Sequence, residues 1–298
     1  MTSTIRKVAL AGATGNLGPS ILDQLLKGGF EVTVLTRQGS THKFTNNVGV
    51  KKIDYDSLES VTEALKGQDA FISTLADVAL SKQLLLVQAA ADAGVKRFLP
   101  SEFGSDASHP KTSQLPIYKD KLAVHTALEK EAVAGRLTYT LVITGAFFDW
   151  GLSVGWIADA RNRSITLYDG GERIFSTTTL SDVGRAVAGV LKHPDETKNR
   201  AVYVHSAALT LKRLSELGQQ ATGIVWDEKV VSIDEELDQA WAELKSGSSD
   251  PSAFDIKFIN TSVWGEGYAG HFKKVDNELL GIEELTDADI QALIKSTL

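Results

Sequence analysis

Cysteine is absent from the 298-residue chain. Its absence excludes disulfides, thiol nucleophiles, thiolate-held iron–sulfur clusters and cysteine-rich zinc sites together. Histidine is sparse: His42, His109, His125, His193, His205 and His271 are scattered, and no two share the spacing of a helical metal site. No metal centre is expected. Positive charge is not in excess either, with 31 Lys and Arg against 38 Asp and Glu and a formal net charge of -7. A nucleic-acid backbone is therefore not an expected partner. No apolar run approaches the ~20 residues that span a bilayer. The opening residues pass straight into a strand-like segment without the apolar core of a secretion signal, and Ser-Thr-Leu at the end lacks the basic residue of a peroxisomal address. The expected location is cytoplasmic, with no membrane partner; the oligomeric state is open. Internal repeats and low-complexity tracts are also lacking.

What remains is an ordinary globular composition, 43% hydrophobic and 23% charged, long enough for one large domain with a smaller lobe. KVALA at 7–11 is a short apolar run of the kind buried on both faces of a parallel sheet. A glycine-rich loop follows. A helix then shows Ile21, Leu22, Leu25 and Leu26 at helical spacing and stops at Gly28-Gly29, and EVTVLTR at 31–37 is β-branched. This is one βαβ unit in about 30 residues. The alternation continues with strands at 50–53, 70–75, 97–99 and 138–143 and helices at 57–66, 82–93 and 119–134. It predicts an α/β, Rossmann-type doubly wound parallel sheet whose ligands bind beyond the carboxyl ends of the strands. After Trp150 the pattern changes. Segments 164–168 and 173–177 flank Asp169-Gly170-Gly171-Glu172 and predict a hairpin. A helix at 181–191, a returning strand at 202–204, helices at 211–222 and 234–244, a flexible connection at 245–252 and a glycine-and-aromatic loop at 265–272 follow.

Gly12, Gly15 and Gly18 form G-x-x-G-x-x-G, with Thr14, Asn16 and Leu17 between them. The first glycine permits a tight exit from the strand, the second lets backbone approach a pyrophosphate, and the third allows close helix packing. The helix N-terminus adds unpaired N–H groups and a positive dipole end. At the end of the second strand stands Arg37 and not a carboxylate, so a planar fork faces the ribose 2′-phosphate of the phosphorylated dinucleotide. The expected cofactor is NADPH/NADP, with His42 or Lys43 as further phosphate contacts. The strand-end residues Thr74, Leu75, Ser101, Glu102, Phe103, Thr144, Gly145 and Phe147 are expected to line the same cleft. The pattern assigns residues 1–150 to an NAD(P)-binding domain and 151–298 to a smaller, partly interleaved substrate-binding α/β lobe.

Residues 93–106 read AGVKRFLPSEFGSD. With GATGNLGP at 12–19, KLAVHTALE at 121–129 and TGAFFDW at 144–150, the chain resembles the isoflavone reductase, phenylcoumaran benzylic ether reductase and pinoresinol–lariciresinol reductase family. That group lies within the NmrA-like atypical short-chain dehydrogenases. The likeness is strong over the first half and looser beyond. It implies an NADPH-dependent reductase with a catalytic helix lysine, matched by Lys121, which moves a proton at a phenolic substrate or orients the nicotinamide ribose. The Tyr-x-x-x-Lys pair of ordinary short-chain dehydrogenases is missing, since Ile117 stands four before Lys121 and Tyr118 three before it. His125 lies one turn after Lys121 on the same helix face. Phe103, Phe148, Trp150, Tyr168, Tyr268 and His271 are expected to contact an aromatic or polyketide-like substrate, which receives hydride at an unsaturated or benzylic carbon. The alternative is a non-catalytic dinucleotide sensor that signals to a protein partner, needing the glycine loop but not Lys121.

Overall fold

The computed structural model of the chain describes residues 4–44, 47–75, 82–247 and 252–298. Lys7–Ala11 (β1) is apolar from Val8 onward because both its faces are covered there: Val8 and Leu10 enter one core, while Ala9 and Ala11 face the other side of the sheet. Gly18–Lys27 (α1) buries Ile21 and Leu25 and gives way at Gly28 to Glu31–Arg37 (β2). Gly49–Ile53 (β3) follows, then Leu58–Leu65 (α2), whose first turn is capped by Ser57 accepting from the Ser60 amide. Ala70–Ser73 (β4), Gln83–Asp92 (α3), Arg97–Leu99 (β5), Lys119–Val133 (α4) and Thr138–Ile143 (β6) complete the first half.

The second half runs through Ala146–Phe147 (β7), Phe148–Ser153 (α5), Ser164–Tyr168 (β8), Ile174–Thr178 (β9), Leu180–Lys192 (α6), Arg200–Tyr203 (β10) and Ala207–Thr210 (β11). It ends with Leu211–Thr222 (α7), Asp227–Val231 (β12), Ile233–Lys245 (α8), Ser252–Trp264 (α9), Asn277–Leu280 (α10) and Asp287–Lys295 (α11).

The main sheet has seven parallel strands in the order β10-β6-β5-β4-β1-β2-β3. Strand order reverses between β1 and β4, which opens a crevice at their carboxyl ends. α1 and α6 cover one face through Ile21, Leu25, Val183 and Val187. α2, α3 and α4 cover the other through Val61, Leu65, Leu86 and Leu128. Phe71 and Phe98 stack across β4 and β5 with centroids 4.9 Å apart. Arg97 is buried yet donates to Thr138, Thr140, Thr197 and the Pro194 carbonyl, tying β5 to β6 and to the approach of β10. Burial brings its guanidinium down to about 10, with Asp195 acting in the opposite direction.

Strand β10 and helix α6 follow residue 150 but build the layers of the large sheet. The remaining elements form two small sheets, β11-β9-β7 and β12-β8, around a third core that contains Phe148, Phe175 and Trp264. The hairpin expected at 164–177 does not form. Asp169 (φ +49°), Gly170 (φ +84°) and Gly171 (φ +76°) turn the chain as the sequence suggests. However, β8 leaves to pair parallel with β12, and β9 pairs antiparallel with β11 and parallel with β7. The strand expected to reach residue 75 stops at Ser73, after which the Thr74 amide and hydroxyl both donate to the Ala11 carbonyl. Of the connection expected at 245–252, residues 248–251 lie outside the described residues.

Segment 270–285 straps the two parts together. Ser176 N donates to Gly270 O, Asp276 N to Tyr203 O and Leu285 N to Ser206 O. Among the described residues, no helix is long and apolar enough to cross a membrane.

Candidate active site

A cleft of about 1720 Å³ runs along the carboxyl ends of the main-sheet strands, bordered by Arg37 towards one side and Trp150 and Trp156 towards the other. Its floor at β1 is the glycine loop. Gly12 has φ +84°, and a Cβ there would stand 2.5 Å from Thr74 Oγ1, so neither backbone shape nor space admits a side chain. A Cβ at Gly18 would overlap the Gly12 carbonyl. Gly18 therefore acts by letting α1 close on the loop and does not itself line the cleft. α1 begins without a side-chain cap at Leu17, Pro19 has no amide hydrogen, and the Ser20 and Ile21 amides donate to the Leu17 carbonyl, so what the helix start offers a phosphate is chiefly its positive dipole end. Gly12, Thr14, Gly15, Asn16 and Leu17 all border this space.

At the end of β2, Arg37 is exposed and borders the cleft. Beside it the Thr36 hydroxyl is buried without a partner among the described residues. Tyr55 donates to the Leu35 carbonyl at 2.9 Å, and burial pushes its phenol up against the pull of Arg37. Asp54, Asp56 and Lys82 complete this corner, Lys82 bonding both carboxylate oxygens of Asp56. His42 packs its ring on Phe44 at 4.6 Å, and neither His42 nor Lys43 lines the cleft.

Lys121 stands in the first turn of α4 and donates to the backbone carbonyl of Glu102. The Glu102 side chain turns away and inward, where its Oε2 lies 2.7 Å from His125 Nε2 in a buried pair. Lys121 also lies 5.9 Å from the centroid of the Tyr118 ring. Thr74, Leu75, Ser101, Phe103, Gly145 and Phe147 line the cleft around it. Ser101 is fixed by its hydroxyl donating to the Leu75 carbonyl and its backbone amide donating to Gln83 Oε1.

The structure moves several expected residues out of the cleft. Thr144 is fully buried beneath Gly145, with its carbonyl taken by Thr178. Phe148 is fully buried in the third core. Tyr168 stacks on Trp264 at 4.8 Å and accepts from Asn260. Tyr268 lies under Lys111, and His271 sits on the strap beside His205 and Lys273. None of these five, nor the Glu102 side chain, lines the cleft. Trp150 does, together with residues that the sequence pattern did not single out: Ser105, Ile256, Ile259 and Val263. Trp156 is held there by donating to Asn260 Oδ1 at 2.9 Å. α9 brings three of these residues, Ile256, Ile259 and Val263, to the cleft, and it carries no motif by which they could be found.

The sequence model of the NmrA-like family matches residues 4–240. The oxidoreductase aprR of Aspergillus flavus is 31% identical over 297 residues, covering 98% of each chain. A phenylcoumaran benzylic ether reductase of Pinus taeda is 27% identical over 290 residues, covering 90% of this chain and 89% of its own. Among solved structures, AtPrR2 with NADP+ and (+)-pinoresinol superposes with a TM-score of 0.78 at 20% identity over the full length of both chains, a likeness of fold. With its glycine loop, its parallel sheet and the match across residues 4–240, the chain belongs to the NmrA-like family.

Proposed function

We propose that the chain is an NADPH-dependent reductase that delivers hydride to an unsaturated or benzylic carbon of an aromatic or polyketide-like small molecule. The observation that carries this reading is the position of Lys121: it lines one continuous cleft with the phosphate loop and Arg37 on one side and an apolar, tryptophan-bearing wall on the other. The loop has the shape for the cofactor: a side chain fits at neither Gly12 nor Gly18, and α1 is uncapped. The backbone of 12–17 would hold the pyrophosphate, and Arg37 the 2′-phosphate. When bound, NADPH supplies the hydride.

The chain's own residues position and discharge. An ammonium has three hydrogens and no acceptor. One points to the Glu102 carbonyl, leaving the others for an oxygen of the ribose or of the substrate. Phe103, Phe147, Trp150 and Trp156 offer flat apolar surface and keep water from the reacting carbon. The relatives agree in kind: one is named an oxidoreductase, another a benzylic ether reductase, and the aligned structure carries NADP+ beside a lignan. A dinucleotide sensor would use the loop but would have no task for Lys121 or the apolar wall.

The test is NADPH consumption across quinones, enones and phenylpropanoid ethers. At least one class should turn over, and Lys121→Ala should lower kcat by about a hundredfold while NADPH binding is kept. Tight cofactor binding with no turnover in any class would instead favour the sensor.

A further inference from the structure

Three hydroxyls meet in the cleft wall beside Lys121. Ser105 Oγ lies 2.9 Å from Ser262 Oγ, and Tyr118 Oη lies 2.7 Å from the same oxygen. Ser262 is on α9, and its own hydroxyl donates to the Ile259 carbonyl at 2.8 Å. A hydroxyl has one hydrogen and two lone pairs. All three contacts are hydrogen bonds at once only if Ser262 donates to the Ile259 carbonyl and accepts from both Ser105 and Tyr118. This sets the polarity of the wall. The Ser105 hydrogen points inward, and its lone pairs are what it can offer elsewhere.

Ser262 is buried away from the cleft, Tyr118 is buried but borders it, and Ser105 is half-buried and lines it. Its neighbour Gly104 is so close to Lys121 that an added Cβ would stand 3.8 Å from Nζ. Ser105, the next residue, adds a hydroxyl acceptor to the cleft that Lys121 also lines. The surrounding wall is apolar: Ile259 and Val263 flank Ser262 on α9, and Trp156 is tied to Asn260 of the same helix.

We infer that Ser105 is a specificity-determining residue that accepts a hydrogen bond from a hydroxyl on the substrate's aromatic ring. The inference rests on the proposed reductase reading to the extent that the substrate occupies this wall. A free phenol completes the chain of hydroxyls. The methyl ether of the same phenol keeps the shape but has no hydrogen, so it leaves the Ser105 lone pairs desolvated and unanswered.

The experiment compares equilibrium binding of matched pairs, 4-hydroxychalcone with 4-methoxychalcone and 4-hydroxystilbene with 4-methoxystilbene, to the NADP+-loaded protein. Quenching of tryptophan fluorescence reports binding at Trp150 and Trp156. In the wild type the hydroxylated member of each pair should bind about tenfold tighter. In Ser105→Ala, which leaves the Tyr118–Ser262 contact in place, the preference should vanish, with the methoxy compounds binding at least as tightly as to the wild type. Equal affinity within the pairs, a preference that survives in Ser105→Ala, or no binding of either hydroxylated compound would overturn the inference. Because binding is measured without turnover, failure of the reductase reading shows separately, as absence of NADPH consumption.

Discussion

Glu102 serves two neighbours with different atoms. Its backbone carbonyl accepts from Lys121, and its carboxylate meets His125 one helical turn further along α4. The second carboxylate oxygen is buried without a partner among the described residues, so the His125 bond is its principal compensation for leaving water. Removing one partner of such a pair costs more than converting both to neutral groups, because the other partner is left unanswered. His125→Ala should therefore destabilise the protein by about 2–3 kcal/mol in urea unfolding. Glu102→Gln, which keeps the shape and can still bond the imidazole, should cost less. Equal losses for the two variants would mean that the carboxylate is compensated in some other way.

At the scale of elements, what was legible depended on whether local chemistry and tertiary partner agree. The β1–loop–α1–β2 unit could be read because an apolar run, glycine spacing and a helical period occur in sequence and are used locally. Arg37 followed from its place at the end of that unit, and Lys121 from the resemblance of its surroundings. The segment 164–177 shows the opposite case. Asp169-Gly170-Gly171 has turn chemistry and does turn, but the pairing partners of β8 and β9 come from β12 and β11, far along the chain. β12 reads DEKVV and is mostly exposed, so it gives no apolar run to detect. α9 hides in another way: its apolar residues face both the cleft and the cores, which blurs any single stripe. The misplaced Tyr168, Tyr268 and His271 share one cause. Composition shows that the second lobe is aromatic, but not which side chains point to the cleft. The contact of Ser105 with Ser262 spans 157 positions, and no spacing rule reaches that far.

At the scale of the whole molecule, the strap at 270–285 joins the large sheet to the small ones, and His271 is part of it. Burial, with His205 and Lys273 nearby, holds the His271 imidazole below its ordinary value. In the unfolded chain the group takes a proton at about pH 6.5. Below that pH the unfolded state binds more protons than the folded one, so stability rises with pH through this window and is lost on acidification. The urea midpoint should therefore fall between pH 7.5 and pH 5.5, and His271→Gln should flatten part of that fall. An unchanged slope in the variant would remove His271 from the account.

The central claim is that the cleft is built for a phosphorylated dinucleotide, with the loop of Gly12, Gly15 and Gly18 at the pyrophosphate and Arg37 at the 2′-phosphate. The most direct measurement is calorimetric titration of the wild type and Arg37→Ala with NADPH and NADH. The wild type should bind NADPH more tightly, and the variant should lose about tenfold or more for NADPH with little change for NADH, the size expected for charge-assisted hydrogen bonds. Equal binding of the two nucleotides by the wild type, or an equal loss for both in the variant, would contradict the account.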